Sequence, residues 1–128
     1  MNKDELNALG AVILDAAITV HREFGPGLLE SAYHISLKRE LELRKLFVKA
    51  KVPIELTYKE INLGKCYEID LLVESHVVIE IKSVETMHPI YMAQLITYLK
   101  LADKKLGFLI NFNVRLLKEG FKRVVYGF

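Results

Sequence analysis

The stretch Tyr67-Glu68-Ile69-Asp70-Leu71-Leu72-Val73-Glu74-Ser75-His76-Val77-Val78-Ile79-Glu80-Ile81-Lys82 decides the fold. Two runs of Val, Ile and Leu flank a turn at Ser75-His76. Short runs that are apolar throughout read as strands covered on both faces, at the centre of a sheet. Asp70, Glu80 and Lys82 sit inside these runs. Burying a charge there costs several kcal/mol unless something compensates it. A divalent cation would compensate two carboxylates, and a lysine beside them would serve chemistry. The spacing D-x9-E-x-K is therefore the main clue to function.

Side chains alternate along a strand, so Glu80 and Lys82 share a face. The connection decides whether Asp70 joins them. With Val73 opposite Val77 across the three-residue loop Glu74-Ser75-His76, Asp70 falls opposite Glu80. With Ser75 and His76 alone as the loop, Asp70 falls opposite Ile81. The acids then face apart, because a one-residue slip reverses the face. A metal site requires the odd-length loop or an equivalent bulge. In that register Asp70, Glu80 and the backbone carbonyl of Ile81 offer hard oxygen donors suited to Mg²⁺ or Mn²⁺. Lys82 is no ligand while charged. It would orient or help deprotonate an attacking water, or stabilise charge developing on a phosphate. The reaction class is phosphodiester hydrolysis.

Outward from this core, Asn2 with Glu5 forms a capping box. Leu6, Leu9, Ile13, Ala16, Ala17, Val20 and Phe24 recur at helical spacing and predict a helix ending at Gly25-Pro26-Gly27. A second helix is expected from about Leu28 to Leu46. Leu29, Tyr33, Leu37 and Leu41 form its stripe, widened by Ala32 and Ile35. Glu30 lies three residues before Tyr33 and points to the same side. It is expected to assist the metal, directly or through water.

The period then becomes two. Val48, Ala50, Val52, Ile54, Leu56 and Tyr58 alternate with polar residues, predicting a long strand with one wet face and, at Pro53, an edge or bulge. A turn at Asn62-Leu63-Gly64-Lys65 is expected to lead to strands at Cys66–Glu74 and Val77–Ser83. Pro89 suits the first turn of a third helix running to about Asp103. Strands at Leu106–Asn111 and near Lys122–Tyr126 complete the order α-α-β-β-β-α-β-β. This is an α/β domain with a mixed central β-sheet flanked by helices.

At 128 residues and 52% apolar content, one domain over 1–128 is expected. There is no run of 18 apolar residues to span a membrane and no signal-type start. The single cysteine, Cys66, excludes an internal disulfide and fits a reducing compartment. The expected location is cytoplasmic. Residues 1–99 carry 11 basic and 14 acidic side chains, whereas 100–128 carry 7 and 2. A basic end suits a phosphate-bearing partner or merely a solvated surface. Lys122 and Arg123 are candidate nucleic-acid contacts, or simply cover an edge strand.

Asp70 with Glu80-Ile81-Lys82 resembles the PD-(D/E)XK nuclease core. Gly27-x-x-Glu30-x-x-Tyr33 resembles the signature of the GxxExxY protein family, which is grouped with that superfamily. Further blocks agree in order and spacing, among them Gly25-Pro26-Gly27-Leu28-Leu29-Glu30, Gln94-Leu95-Ile96-Thr97-Tyr98-Leu99 and Gly107-Phe108-Leu109-Ile110-Asn111-Phe112. The resemblance implies a restriction-endonuclease-like core and a metal-dependent nuclease. Its catalytic residues map onto Glu30, Asp70, Glu80 and Lys82. Gln94 and Tyr98, four apart on one helix face, would line the cleft with the Tyr33 hydroxyl at its rim. Nucleic acid is the implied partner, DNA ahead of RNA, and a homodimer is compatible with the small chain. Two departures stand out. Ile69 replaces the proline of the pattern, and Glu68 occupies a position often basic in relatives, where an acid facing the cleft would repel phosphate.

Plainer readings accompany these. Asp70 would serve equally as a strand-end acid bonded to backbone amides. Lys82 would serve as the partner of Glu80 or Asp70 in a structural ion pair. The whole chain would then be a catalytically silent binding or structural module, or a dimeric partner of other proteins. Cys66 reads as a small buried hydrophobe. His21, His34, His76 and His88 show no ligand spacing and read as surface or satisfied residues.

Overall fold

The computed structural model describes all 128 residues. Helix α1 (Lys3–Phe24) starts as its sequence dictates. Asn2 Oδ1 accepts from Glu5 N at 2.8 Å, and Glu5 Oε1 accepts from Asn2 N at 3.1 Å. It stops at Gly25, whose φ of 64° few other residues adopt readily. Helix α2 (Glu30–Leu43) is shorter than its periodicity predicts. Tyr33, Leu37 and Leu41 are buried. Leu29 and Ile35, assigned to the stripe from sequence, are 78% and 69% exposed, because only a narrow seam of α2 meets the sheet.

Strands β1 (Val48–Tyr58), β2 (Ile61–Val73), β3 (Val77–Lys82), β4 (Leu106–Asn111) and β5 (Phe121–Val125) form one mixed sheet in sequence order. β3 and β4 run parallel, joined by helix α3 (Pro89–Ala102), and every other neighbouring pair is antiparallel. A short 3-10 turn (Leu117–Gly120) precedes β5. The element order and α/β class are those expected. No helix is long and apolar enough to cross a membrane.

The β1–β2 turn lies at Lys59-Glu60, not at the Asn62–Lys65 stretch. Both residues take left-handed φ, 45° and 71°, as a two-residue hairpin turn requires. The Asn and Gly that suggested a loop instead build an irregularity within β2. Asn62 Oδ1 accepts from Gly64 N at 2.7 Å, Gly64 has φ 82°, and the register shifts alongside. Cys66 consequently lies on the projecting hairpin and is exposed, contrary to the expectation of burial.

Two apolar clusters sandwich the sheet. One joins α1 and α2 to Leu71, Val73, Ile79 and Ile81, and the other joins α3 to Ile69, Leu72, Val78 and Leu109. Ile69 and Leu71 are two apart yet belong to opposite layers, as do Val52 and Ala50 on β1. Strict alternation would keep each pair on one face. The change of face falls at Asp70 and its strand neighbour Lys51, whose φ of 54° is left-handed. The single wet face expected for β1 is therefore two half-faces.

Candidate metal and nuclease site

The β2–β3 connection is the three-residue loop, with Val73 opposite Val77, Leu72 opposite Val78 and Leu71 opposite Ile79. Beyond that pair the ladder stops and the strands part. The next residues, Asp70 and Glu80, fill the gap with their carboxyl groups. Asp70 N donates to Glu80 Oε1 at 3.1 Å, and Ile81 N donates to Asp70 Oδ2 at 2.8 Å. Buried amides must find acceptors, and here the two acids supply them. From the other side His34 Nε2 donates to the Asp70 carbonyl at 3.0 Å, which fixes its tautomer because a carbonyl only accepts.

Glu80 is buried, with the Asp70 carboxyl close beside it. Burial first, and the Asp70 charge second, push the Glu80 carboxyl up to about 8, against the weaker pull of Lys82. The Tyr98 phenol is pushed up to about 12 by burial, then by the charges of Glu80, Asp70 and Tyr67. Glu30 opens α2 as an exposed residue and, with Asp70, lines the cleft between α2 and β1–β2. Burial raises its pKa most, Lys82 lowers it, Asp70 raises it and His34 lowers it.

Lys82 takes part in none of the protein's ion pairs. Its ammonium lies 4.6 Å from the centroid of the Tyr91 ring, a cation–π arrangement. It is thus held near the acids by an aromatic face and not neutralised by any of them. This removes the structural ion pair as an account of Lys82.

The loop before α2 is tied down on both sides. The Tyr33 hydroxyl donates to the Gly25 carbonyl and accepts from Leu28 N at 3.2 Å, and its ring stacks on Phe112 at 4.5 Å. Ser83 Oγ, just beyond β3, donates to the Leu28 carbonyl at 2.7 Å. These bonds fix where Glu30 begins its helix relative to Glu80 and Lys82. Tyr33 does not line the cleft, since its ring is fully buried and its hydroxyl is spent on the loop.

Two cavities lie near the acids, and one of them is lined by Glu30 and Asp70. One, of about 640 Å³ between α2 and β1–β2, is lined by Glu30, His34, Arg39, Lys51, Glu68 and Asp70 among others. Glu68 does point into this cleft. The other, of about 230 Å³, lies against α3 and includes Gln94 and Tyr98. Lys122 and Arg123 do not form a single patch. Lys122 is exposed on β5, while Arg123 is bonded to Asn7 Oδ1 at 3.0 Å and rests over Phe128. Alternation along the edge strand sends the two side chains to opposite faces.

Sequence reasoning missed His34, Ser83, Tyr67 and Tyr91. His34 was within reach, because it follows Glu30 by four residues and so shares its helix face. Nothing in the spacing announced the other three.

The donor set fits a hard divalent cation in atom type and charge. Two carboxyl groups offer oxygen donors, and burial keeps one of them protonated until a cation stabilises its charged form. As the side chains stand, no three acid, histidine or cysteine groups converge, since Asp70 and Glu80 are turned onto main-chain amides. A family model for the PD-(D/E)XK nuclease superfamily matches residues 7–124. The chain belongs to that superfamily. No curated protein and no solved structure matches it.

Proposed function

We propose that this chain is a nuclease of the GxxExxY kind, one domain over residues 1–128, that hydrolyses phosphodiester bonds of nucleic acid with Mg²⁺ or Mn²⁺. The observation that carries the reading is the pair of acids in the parted β2–β3 strands beside an ammonium that no carboxylate neutralises. Asp70 Oδ1 and Glu80 Oε2, the oxygens outside the amide bonds, would hold the ion with the Ile81 carbonyl. Glu30 would join directly or through water. When bound, the ion supplies Lewis acidity at the phosphate and lowers the pKa of an attacking water. The water oxygen would form a bond to phosphorus as the bond to the leaving oxygen breaks, with the water's proton passing to solvent and the leaving oxygen taking one from solvent. Lys82, resting on Tyr91 and free of ion pairs, is placed to orient that water and to offset charge developing on the phosphate.

Titrating Mn²⁺ into wild type and Asp70→Ala by calorimetry tests the metal claim, with oligonucleotide cleavage followed in parallel. Binding in the wild type and its loss in the variant are expected. Equal, negligible heat in both proteins refutes the catalytic metal. A second reading is favoured by one observation, that both acids already satisfy main-chain amides. In it the chain is a nuclease-fold binding module without turnover, and nucleic acid is bound but never cut.

A further inference from the structure

The α2-side cleft, which Asp70 lines, and the α3-side cavity differ in kind. The α2-side cleft is densely charged, with Glu30, Glu42, Glu68 and Asp70 beside Lys38, Arg39 and Lys51. The α3-side cavity is lined by Tyr67, Ile90, Ala93, Gln94, Thr97 and Tyr98, with no formal charge among them. We infer that this cavity receives an unpaired nucleobase next to the reacting phosphate, with Tyr67 as its stacking platform, so that the substrate is single-stranded or locally unpaired nucleic acid. The inference rests on the reading of Asp70 and Glu80 as a nuclease site.

Three observations support it. First, Tyr67 offers a ring face. It is 39% exposed although it sits in a strand, and its centroid lies 5.6 Å from that of Tyr98, tilted by 49°. Aromatic faces in such positions stack bases of any identity. Second, polar groups converge there without partners. The side-chain hydrogen bonds of the protein leave unused the Gln94 amide and the hydroxyls of Tyr67 and Tyr98, whereas neighbouring Thr97 is spent on the Ala93 carbonyl. An amide carries a donor and an acceptor side by side, which matches the edge of a base. An apolar-walled pocket with a few convergent polar groups is the usual form of a small-ligand site. Third, the cavity lies one short step along β2 from the acids, since Tyr67 precedes Asp70 by three residues, about 10 Å along a strand. A duplex keeps its bases paired and stacked inward, so neither strand can offer this cavity a base without opening.

The experiment measures binding in chelator, so that nothing is cut, by fluorescence anisotropy. The probes are a mixed-sequence single-stranded DNA oligonucleotide, its duplex, and single-stranded versions carrying one abasic site at each position in turn. Wild type should bind the single strand more tightly than the duplex. Tyr67→Ala should weaken that binding roughly 5- to 150-fold, and Tyr67→Phe should restore it to within about twofold. One abasic position should cost wild type a similar factor and cost Tyr67→Ala nothing further. Circular dichroism confirms that the variants fold. Equal affinity for duplex and single strand, no effect of Tyr67→Ala, or no binding of any probe overturns the inference. Cleavage with Mg²⁺ or Mn²⁺ is scored separately. Base-dependent binding without cleavage leaves the base site standing and removes the nuclease reading alone.

Discussion

Replacing Glu80 by glutamine probes the central electrostatic claim in isolation. Glutamine keeps the length of the side chain and the oxygen that accepts from Asp70 N. It removes the titration. In metal-free protein the folded state holds a proton on Glu80 up to about 8, whereas an ordinary glutamate releases it near 4.5. Between those values the folded chain binds more protons than the unfolded chain, so its stability falls as pH rises. At 1.36 kcal/mol for each pH unit, the full loss is on the order of 5 kcal/mol. That is comparable with the low end of a small domain's whole stability. Urea unfolding in chelator, followed by circular dichroism from about pH 5 to about pH 9, reads it directly. The difference between the wild-type and Glu80→Gln profiles cancels the groups that do not interact with Glu80 and reports the joint titration of Glu80 with Asp70. Wild type should lose several kcal/mol relative to the variant over that range, and saturating Mn²⁺ should recover most of the loss in wild type only. Parallel profiles in chelator would refute the burial argument.

Further predictions concern the groups around this pair. Lys82→Ala should lower cleavage by roughly 10²- to 10⁴-fold while leaving Mn²⁺ binding by calorimetry close to wild type. Tyr33→Phe removes both bonds that pin the Gly25–Leu28 loop and should cost about 1–3 kcal/mol in urea unfolding, with a weaker contribution of Glu30 to metal affinity. His34→Phe leaves the Asp70 carbonyl without its donor and should cost a similar ~1–3 kcal/mol, which His34→Gln should partly restore. At Gly120 an added Cβ would stand 2.2 Å from the Asn111 carbonyl oxygen. Gly120→Ala should therefore lower thermal stability by about 1–3 kcal/mol or more, because backbone on both sides must move.

The strand and helix order was legible because hydrophobic period survives in each element. Val48–Tyr58 and Leu106–Asn111 fall where the pattern places them. The β2–β3 register was reducible to two loop lengths, and the positive φ of Glu74 and Ser75 belongs to the longer loop. The hairpin turn was misplaced because Asn62 and Gly64 serve a strand irregularity as readily as a turn. The change of face at Asp70 was invisible, since alternation is inferred from side chains and this break resides in the backbone of Lys51. Among site residues, Asp70, Glu80 and Lys82 were announced by charge in apolar surroundings. Tyr33 packs in the stripe where spacing places it, but spacing does not reveal that its hydroxyl is spent on the Gly25–Leu28 loop. Tyr67 and Tyr91 act through ring faces, and no local pattern marks those.

Because β1 and β2 pass between layers at Lys51 and Asp70, neither apolar cluster encloses the acids alone. Glu30 travels with α2, and Tyr91 and Tyr98 travel with α3. A small sliding of one layer over the other, of the shear type that packed helices allow, would widen or narrow the mouth between Glu30 and Lys82 while both interiors stayed intact. The backbone break at Lys51 thus sets how the groups carried by α2 and those carried by α3 are spaced around the acids.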